Sequence, residues 1–154
     1  MPGKSFLRFL ERHRSILEEL IVHQERLVVG AIGEARDLFA GFERRIRGHI
    51  REEEEEMLPI YDERAGLMHG GDPDLFRMEH RKIERFLDEI RGRLTDLAAG
   101  DLRGRIALIE REQMLKEILH HHDLREQNIL YPELDRVTDD AEKERIVGRM
   151  AGPQ

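Results

Sequence analysis

One short pattern occurs twice in this chain of 154 residues, and it limits the fold more than any other feature. His49-Ile50-Arg51-Glu52-Glu53 is followed by Pro59, and His122-Asp123-Leu124-Arg125-Glu126 is followed by Pro132. In both copies the Glu stands four residues after the His, and the Pro ten residues after it. On a helix, positions i and i+4 share a face. Imidazole and carboxylate are both ligands for transition ions of intermediate hardness, such as iron, manganese or zinc. Each copy therefore reads as half of a metal site carried on a helix.

The surrounding residues have a helical period, and no stretch alternates with a period of two. Ser5 is a natural N-cap for a first helix with the inner stripe Phe6, Leu10, His13, Leu17, Leu20, Gln24 and Leu27. That helix is expected to stop or bend at Gly30-Ala31-Ile32-Gly33. A second helix from about Glu34 carries Leu38, Phe42, Ile46, His49, Glu53, Met57 and Ile60, with Pro59 kinking or ending it. Asp72-Pro73 is a start signal for a third, with Phe76, His80, Ile83, Leu87, Ile90, Leu94 and Leu97 inward. A fourth carries Leu108, Leu115, Leu119, His122, Glu126 and Ile129 and ends near Pro132. A short fifth helix, about 139–150, brings Ile146, Val147 and Met150 to dock.

The duplication extends beyond the doubled pattern, since His13-Arg14-Ser15-Ile16 matches His80-Arg81-Lys82-Ile83. Each half is a helix with one inward His, then a helix with His-x3-Glu. The expected fold is all-α: an up-down-up-down four-helix bundle with its core at about 5–134, plus the short C-terminal helix, in a single domain of 1–154. At a rise of ~1.5 Å per residue, His13 lies ~12 Å from Ser5, His80 ~10 Å from Pro73, and each Glu ~9 Å from its proline. Antiparallel packing then places His13, His49, Glu53, His80, His122 and Glu126 in one layer. Ionised carboxylates facing a core are costly without partners, and two shared ions would relieve that cost.

These residues resemble the hemerythrin-like (HHE cation-binding) family, over a span from about Ser5 to Leu134. The doubled H-x3-E-x5-P differs from the Glu-x-x-His signature of ferritin-like carboxylate bundles. The resemblance implies two iron ions joined by an oxygen bridge (Fe-O-Fe), although the donors would also accept manganese or zinc. It also implies that the centre binds or senses a small ligand: O2, NO or peroxide. The alternative functions are a di-iron enzyme removing peroxide or nitric oxide, and an iron-handling or iron-responsive domain. Oxygen-carrying hemerythrins have a second His one turn after the first on the third helix. Glu84 stands there in this chain, which sets it apart from the carriers and makes Glu84 a further candidate ligand. His23, on the shoulder of the first stripe, is another.

Other residues read more plainly. The run Glu52–Glu56 is a solvated face apart from Glu53, and His120 and His121 are expected at the surface. His69 falls in a Gly-rich loop and is expected to be exposed. Tyr61 and Tyr131, near the prolines, could hydrogen-bond near the site, but they occupy unmatched positions in the two halves and are read as packing residues. The apolar runs Leu20-Ile21-Val22 and Leu27-Val28-Val29 call for cover, by the C-terminal helix or by a second copy of the chain.

The totals exclude several classes. The net charge of −7 argues against nucleic acid and against a polybasic membrane contact. There is no cysteine, so no disulfide or thiolate site exists, and any metal must be held by nitrogen and oxygen. Nothing resembles a nucleotide loop, a secretory leader or a spanning segment, so a cytoplasmic monomer or homodimer is the expectation.

Overall fold

The computed structural model describes residues 5–66 and 71–150, and their regular structure is entirely helical, with no strand. His69 lies outside the described residues. A 3-10 turn (Phe6–Arg8) leads into α1 (Phe9–Val28), followed by α2 (Ile32–Glu52), α3 (Leu58–Arg64), α4 (Pro73–Asp96), α5 (Leu102–Arg125), α6 (Tyr131–Val137) and α7 (Asp140–Met150). Two π-helical turns, Glu53–Met57 and Glu126–Leu130, join α2 to α3 and α5 to α6.

Local chemistry accounts for most boundaries. Ser5 caps the first turn by accepting from the Leu7 amide, and its hydroxyl also donates to Asp135 on α6. Asp72 accepts from the Asp74 amide, with Pro73 in the first turn of α4 as expected. Asp101 does the same for α5 through the Gly104 amide. Helix α1 ends at Gly30, whose φ of 79° is a left-handed conformation that glycine adopts without a Cβ clash. Arg105 then donates to the carbonyls of Leu27 and Val28.

The second helix is expected to kink or end at Pro59 and the fourth to end near Pro132; helical structure ends at neither. The chain instead passes through a π turn in which the Leu58 amide donates to the Glu53 carbonyl and the Tyr131 amide to the Glu126 carbonyl. Helical structure then continues through α3 and α6, with Pro59 and Pro132 in their first turns. A proline is tolerated there because early helical positions need no amide donor.

Helix α1 packs against α2 and α5, and α4 packs against α5 and α2. The interior divides into two apolar clusters. The larger includes Ile16, Leu20, Phe39, Phe42, Ile46, Ile83, Leu87 and Leu119. The smaller is built from Phe6, Phe9, Met57, Leu58, Phe76, Leu130, Tyr131, Leu134, Ile146 and Met150. In sequence, each of His13, His49, His80 and His122 lies between residues of the larger cluster and residues of the smaller. The ends carried past the prolines by α3 and α6, together with α7, add Tyr61, Leu134, Ile146 and Met150 to that smaller cluster.

Helix α7 packs against α2 and the π turn after it, burying Ile146 and Met150. It does not cover the apolar end of α1, where Val28 and Val29 remain exposed. No helix of the described residues is long and apolar enough to cross a membrane.

Candidate metal centre

The six histidines and glutamates of the predicted layer converge. His13 comes from α1, His49 from α2, His80 from α4 and His122 from α5. Glu53 and Glu126 each open a π turn one helical turn after a histidine. Their ligand atoms form two groups, His13–His49–Glu53–Glu126 and Glu53–His80–His122–Glu126, with the atoms of each group within 4.8 Å of one another. Both carboxylates belong to both groups. All six side chains are buried, with Glu53, Glu126 and His80 fully so.

The contacts are those of converging lone pairs. His13 Nε2 and His49 Nε2 stand 2.7 Å apart. His49 Nε2 is 2.7 Å from Glu53 Oε1, and His80 Nε2 is 3.0 Å from Glu53 Oε2. His122 Nε2 and Glu126 Oε1 approach to 2.5 Å, yet both lack a hydrogen bond of acceptable direction. Buried polar atoms without such partners are rare and need a reason. Two atoms that aim at a common third point, and not along the line joining them, fit a shared cation. The nitrogen and oxygen donor set suits iron, manganese or zinc.

The charges agree with this picture. Burial lowers the His13 pKa, but the adjacent Asp123 carboxylate and the charges of Glu126 and Glu53 outweigh it, and the value is pushed up to about 9. His80 is raised for the same kind of reason: Glu53 overcomes burial. His122 is raised well above the usual histidine range, Glu126 and Glu53 overcoming burial. Glu53 moves the other way. Burial raises it, but the His49 charge and the surrounding imidazoles of His122, His49 and His80 hold it well below the usual carboxylate range. Without a metal, protons held on neighbouring imidazoles keep Glu53 ionised.

A further ring of carboxylates orients the histidines from behind. Glu54 is 2.9 Å from His80 Nδ1 and is itself held by Arg81. Asp123 Oδ1 lies 3.0 Å from His13 Nδ1, though out of line for a full hydrogen bond. Glu79 sits 3.7 Å from His122 Nδ1 and pairs with Arg125 at 2.8 Å. Such partners fix ring orientation and raise ligand basicity.

Two further candidates are not brought to the centre. His23 is fully buried, but its Nδ1 donates to the Ala35 carbonyl at 2.7 Å and its Nε2 meets Glu112 at 2.7 Å. It is a core histidine with its own partners, corrected here from candidate ligand. Glu84 is half-buried and pairs with Arg81 at 3.3 Å, outside both groups of ligand atoms. Its side chain belongs to the helix surface, so it too is corrected. His120 and His121 are exposed, as expected. Tyr61 is a packing residue whose hydroxyl donates to the Gly71 carbonyl.

Tyr131 departs from its expected role. Its fully buried hydroxyl donates to Glu126 Oε2 at 2.7 Å and lies 3.0 Å from Glu53 Oε1 and 3.2 Å from His13 Nε2. Burial first, then both carboxylates, push its pKa well above the usual tyrosine value. The sequence spacing pointed away from the site, because Tyr131 follows Glu126 by five residues. On an α-helix that spacing lies about 140° off the ligand face. The π turn, with its i→i+5 bond, brings the ring round to that face.

A cavity of about 70 Å³ adjoins the centre. His13, His49 and His122 line it, with the apolar Ile16, Phe42, Ile46, Ile83 and Leu119 and with Lys116, His120 and Asp123. A water needs on the order of 10–15 Å³ of such space, so the cavity has room for several waters or a small ligand. Comparisons with protein-family models, with curated proteins and with solved structures returned no match.

Proposed function

We propose that the chain is an up-down-up-down four-helix bundle holding two iron ions, and that it binds or senses a small ligand such as O2, NO or peroxide at that pair. One observation carries the reading: two groups of four buried ligands share Glu53 and Glu126. Shared carboxylates hold two ions side by side. Four histidines and two bridging glutamates then supply roughly eight of the roughly twelve bonds that two six-coordinate ions need, which leaves room for exogenous ligands. Iron would supply a centre that changes oxidation state and takes up diatomic molecules or peroxide.

The protein's own contribution is separable from that chemistry. Glu54, Asp123 and Glu79 orient the imidazoles. The apolar walls of the cavity favour small neutral molecules. The order of contacts, α1 with α2 and α5, and α4 with α5 and α2, supports the bundle.

The test begins with elemental analysis of protein purified without added metal, where two ions per chain are expected. Anaerobic reduction followed by O2, NO or peroxide should then change the visible spectrum. A chain that holds two irons and gives no change with any of the three sinks the ligand-binding reading. Steady-state turnover with peroxide and a reductant would move it to the enzymes.

A further inference from the structure

We infer that Tyr131 is itself a ligand of the ion held by His13 and His49, so that the two ions of the centre are unlike. The inference rests on the two-ion reading above and adds to it a donor that the doubled motif does not contain. Its first support is distance. Donors about 2.1 Å from a six-coordinate ion, at right angles to one another, stand on the order of 3 Å apart. Tyr131 Oη lies 3.2 Å from His13 Nε2, 3.0 Å from Glu53 Oε1 and 2.7 Å from Glu126 Oε2. All three residues belong to the first ligand group. The hydroxyl oxygen therefore stands where a neighbouring donor on the same ion would stand.

The second support is proton counting. A phenol has one hydrogen to donate. Here two carboxylate oxygens lie within 3.0 Å of Oη, and the carboxylates are acceptors alone when ionised. One hydrogen bond satisfies one of them and leaves the other as a close oxygen–oxygen contact in a fully buried place. A cation between the three oxygens and the His13 nitrogen makes every one of these contacts favourable. As the Oη–ion bond forms, the Oη–H bond breaks and the proton leaves to solvent, with no change of oxidation state.

The third support is the asymmetry of the halves. In the first half the residue five after Glu53, also at the exit of a π turn, is Leu58, which is fully buried and has no donor. The second ion group has the Phe76 ring beside His122, with centroids 6.5 Å apart. The first ion would thus have five protein donors and the second four.

Resonance Raman spectroscopy of the air-oxidised, iron(III)-loaded full chain tests this. Excitation in the visible band should enhance phenolate ring modes, which shift when the chain carries ring-deuterated tyrosine. The chain has two tyrosines. Tyr61→Phe should keep the modes and Tyr131→Phe should lose them, with bound iron measured in each. Should Tyr131→Phe fail to fold, modes that survive in Tyr61→Phe still assign them to Tyr131. Wild-type chain with two irons and no phenolate modes overturns the inference and leaves the two-ion reading standing, as do modes that persist in Tyr131→Phe. A chain that takes up no iron overturns both.

Discussion

Glu53 and Glu126, from opposite halves of the chain, each offer carboxylate oxygens to both candidate ion groups. The histidines do not have this property, since each serves one group. Removing a shared ligand and removing a private one should therefore have different consequences. Glu53→Ala is expected to lower bound metal from two ions per chain to nearly none. His13→Ala should leave the group of Glu53, His80, His122 and Glu126 able to hold one. Metal per chain, measured by elemental analysis after equilibration at limiting metal, checks the contrast. Equal losses in the two variants would contradict the shared-carboxylate arrangement.

The metal-free protein should lose stability as pH rises from near 6.5 through about 9. His13 in the folded chain holds its proton up to about 9, against 6.5 for an unperturbed histidine. Between those values the folded state binds more protons than the unfolded state, so unfolding becomes easier with rising pH. The His13 share is on the order of 3 kcal/mol, and His80 and His122 act in the same direction. Glu53, held low, adds stability above the ordinary carboxylate range that is lost as pH falls through its depressed value. Urea unfolding with chelator at pH 6 and pH 9.5 should show the drop, and His13→Gln should reduce it. Metal affinity should move oppositely, rising over the same window as protons stop competing for imidazole.

Metal should raise the melting temperature substantially. An ion at 100 times its dissociation constant stabilises the folded state by about 2.7 kcal/mol per site. For a domain of this size, two sites correspond to a shift of roughly 10–20 °C. Differential scanning calorimetry with iron, and again after chelator, reads it. An unchanged melt would mean that the polar layer is satisfied without ions.

The buried pair His23 and Glu112 should behave as structure and not as part of the centre. Glu112→Ala leaves His23 Nε2 without its 2.7 Å partner and is expected to cost about 3–5 kcal/mol. Replacing both by Leu should cost less, because neither polar group is then left unpaired. Variants that fold should still hold two ions. Glu84→Ala should change stability by about 0.5 kcal/mol or less and likewise keep both ions. Loss of an ion in either set would return His23 or Glu84 to the list of ligands.

The helical parts and the six-residue layer were legible because they rest on local geometry. An i, i+4 spacing puts His49 with Glu53 and His122 with Glu126 on one face whatever the rest of the chain does. Capping chemistry marked Ser5 and Asp72 in the same way. A hydrogen bond from Tyr131 near the site was open from the sequence, but its place against both carboxylates was not legible, because it depends on a π turn that proline alone did not announce. His23 could not be separated from a ligand, since Glu112, which meets it, is far along the sequence.

What the chain determined alone is the set of faces: which residues on each helix turn inward, and at what height along it. A helix holds its side chains in fixed directions, so a few neighbouring residues suffice to say this. What tertiary structure decided is which inward groups touch. It joined Glu53 to His80, Glu112 to His23 and Tyr131 to both shared carboxylates. Those distances depend on how each helix is rotated against its neighbours, and that rotation is set by the packing of the whole interior at once.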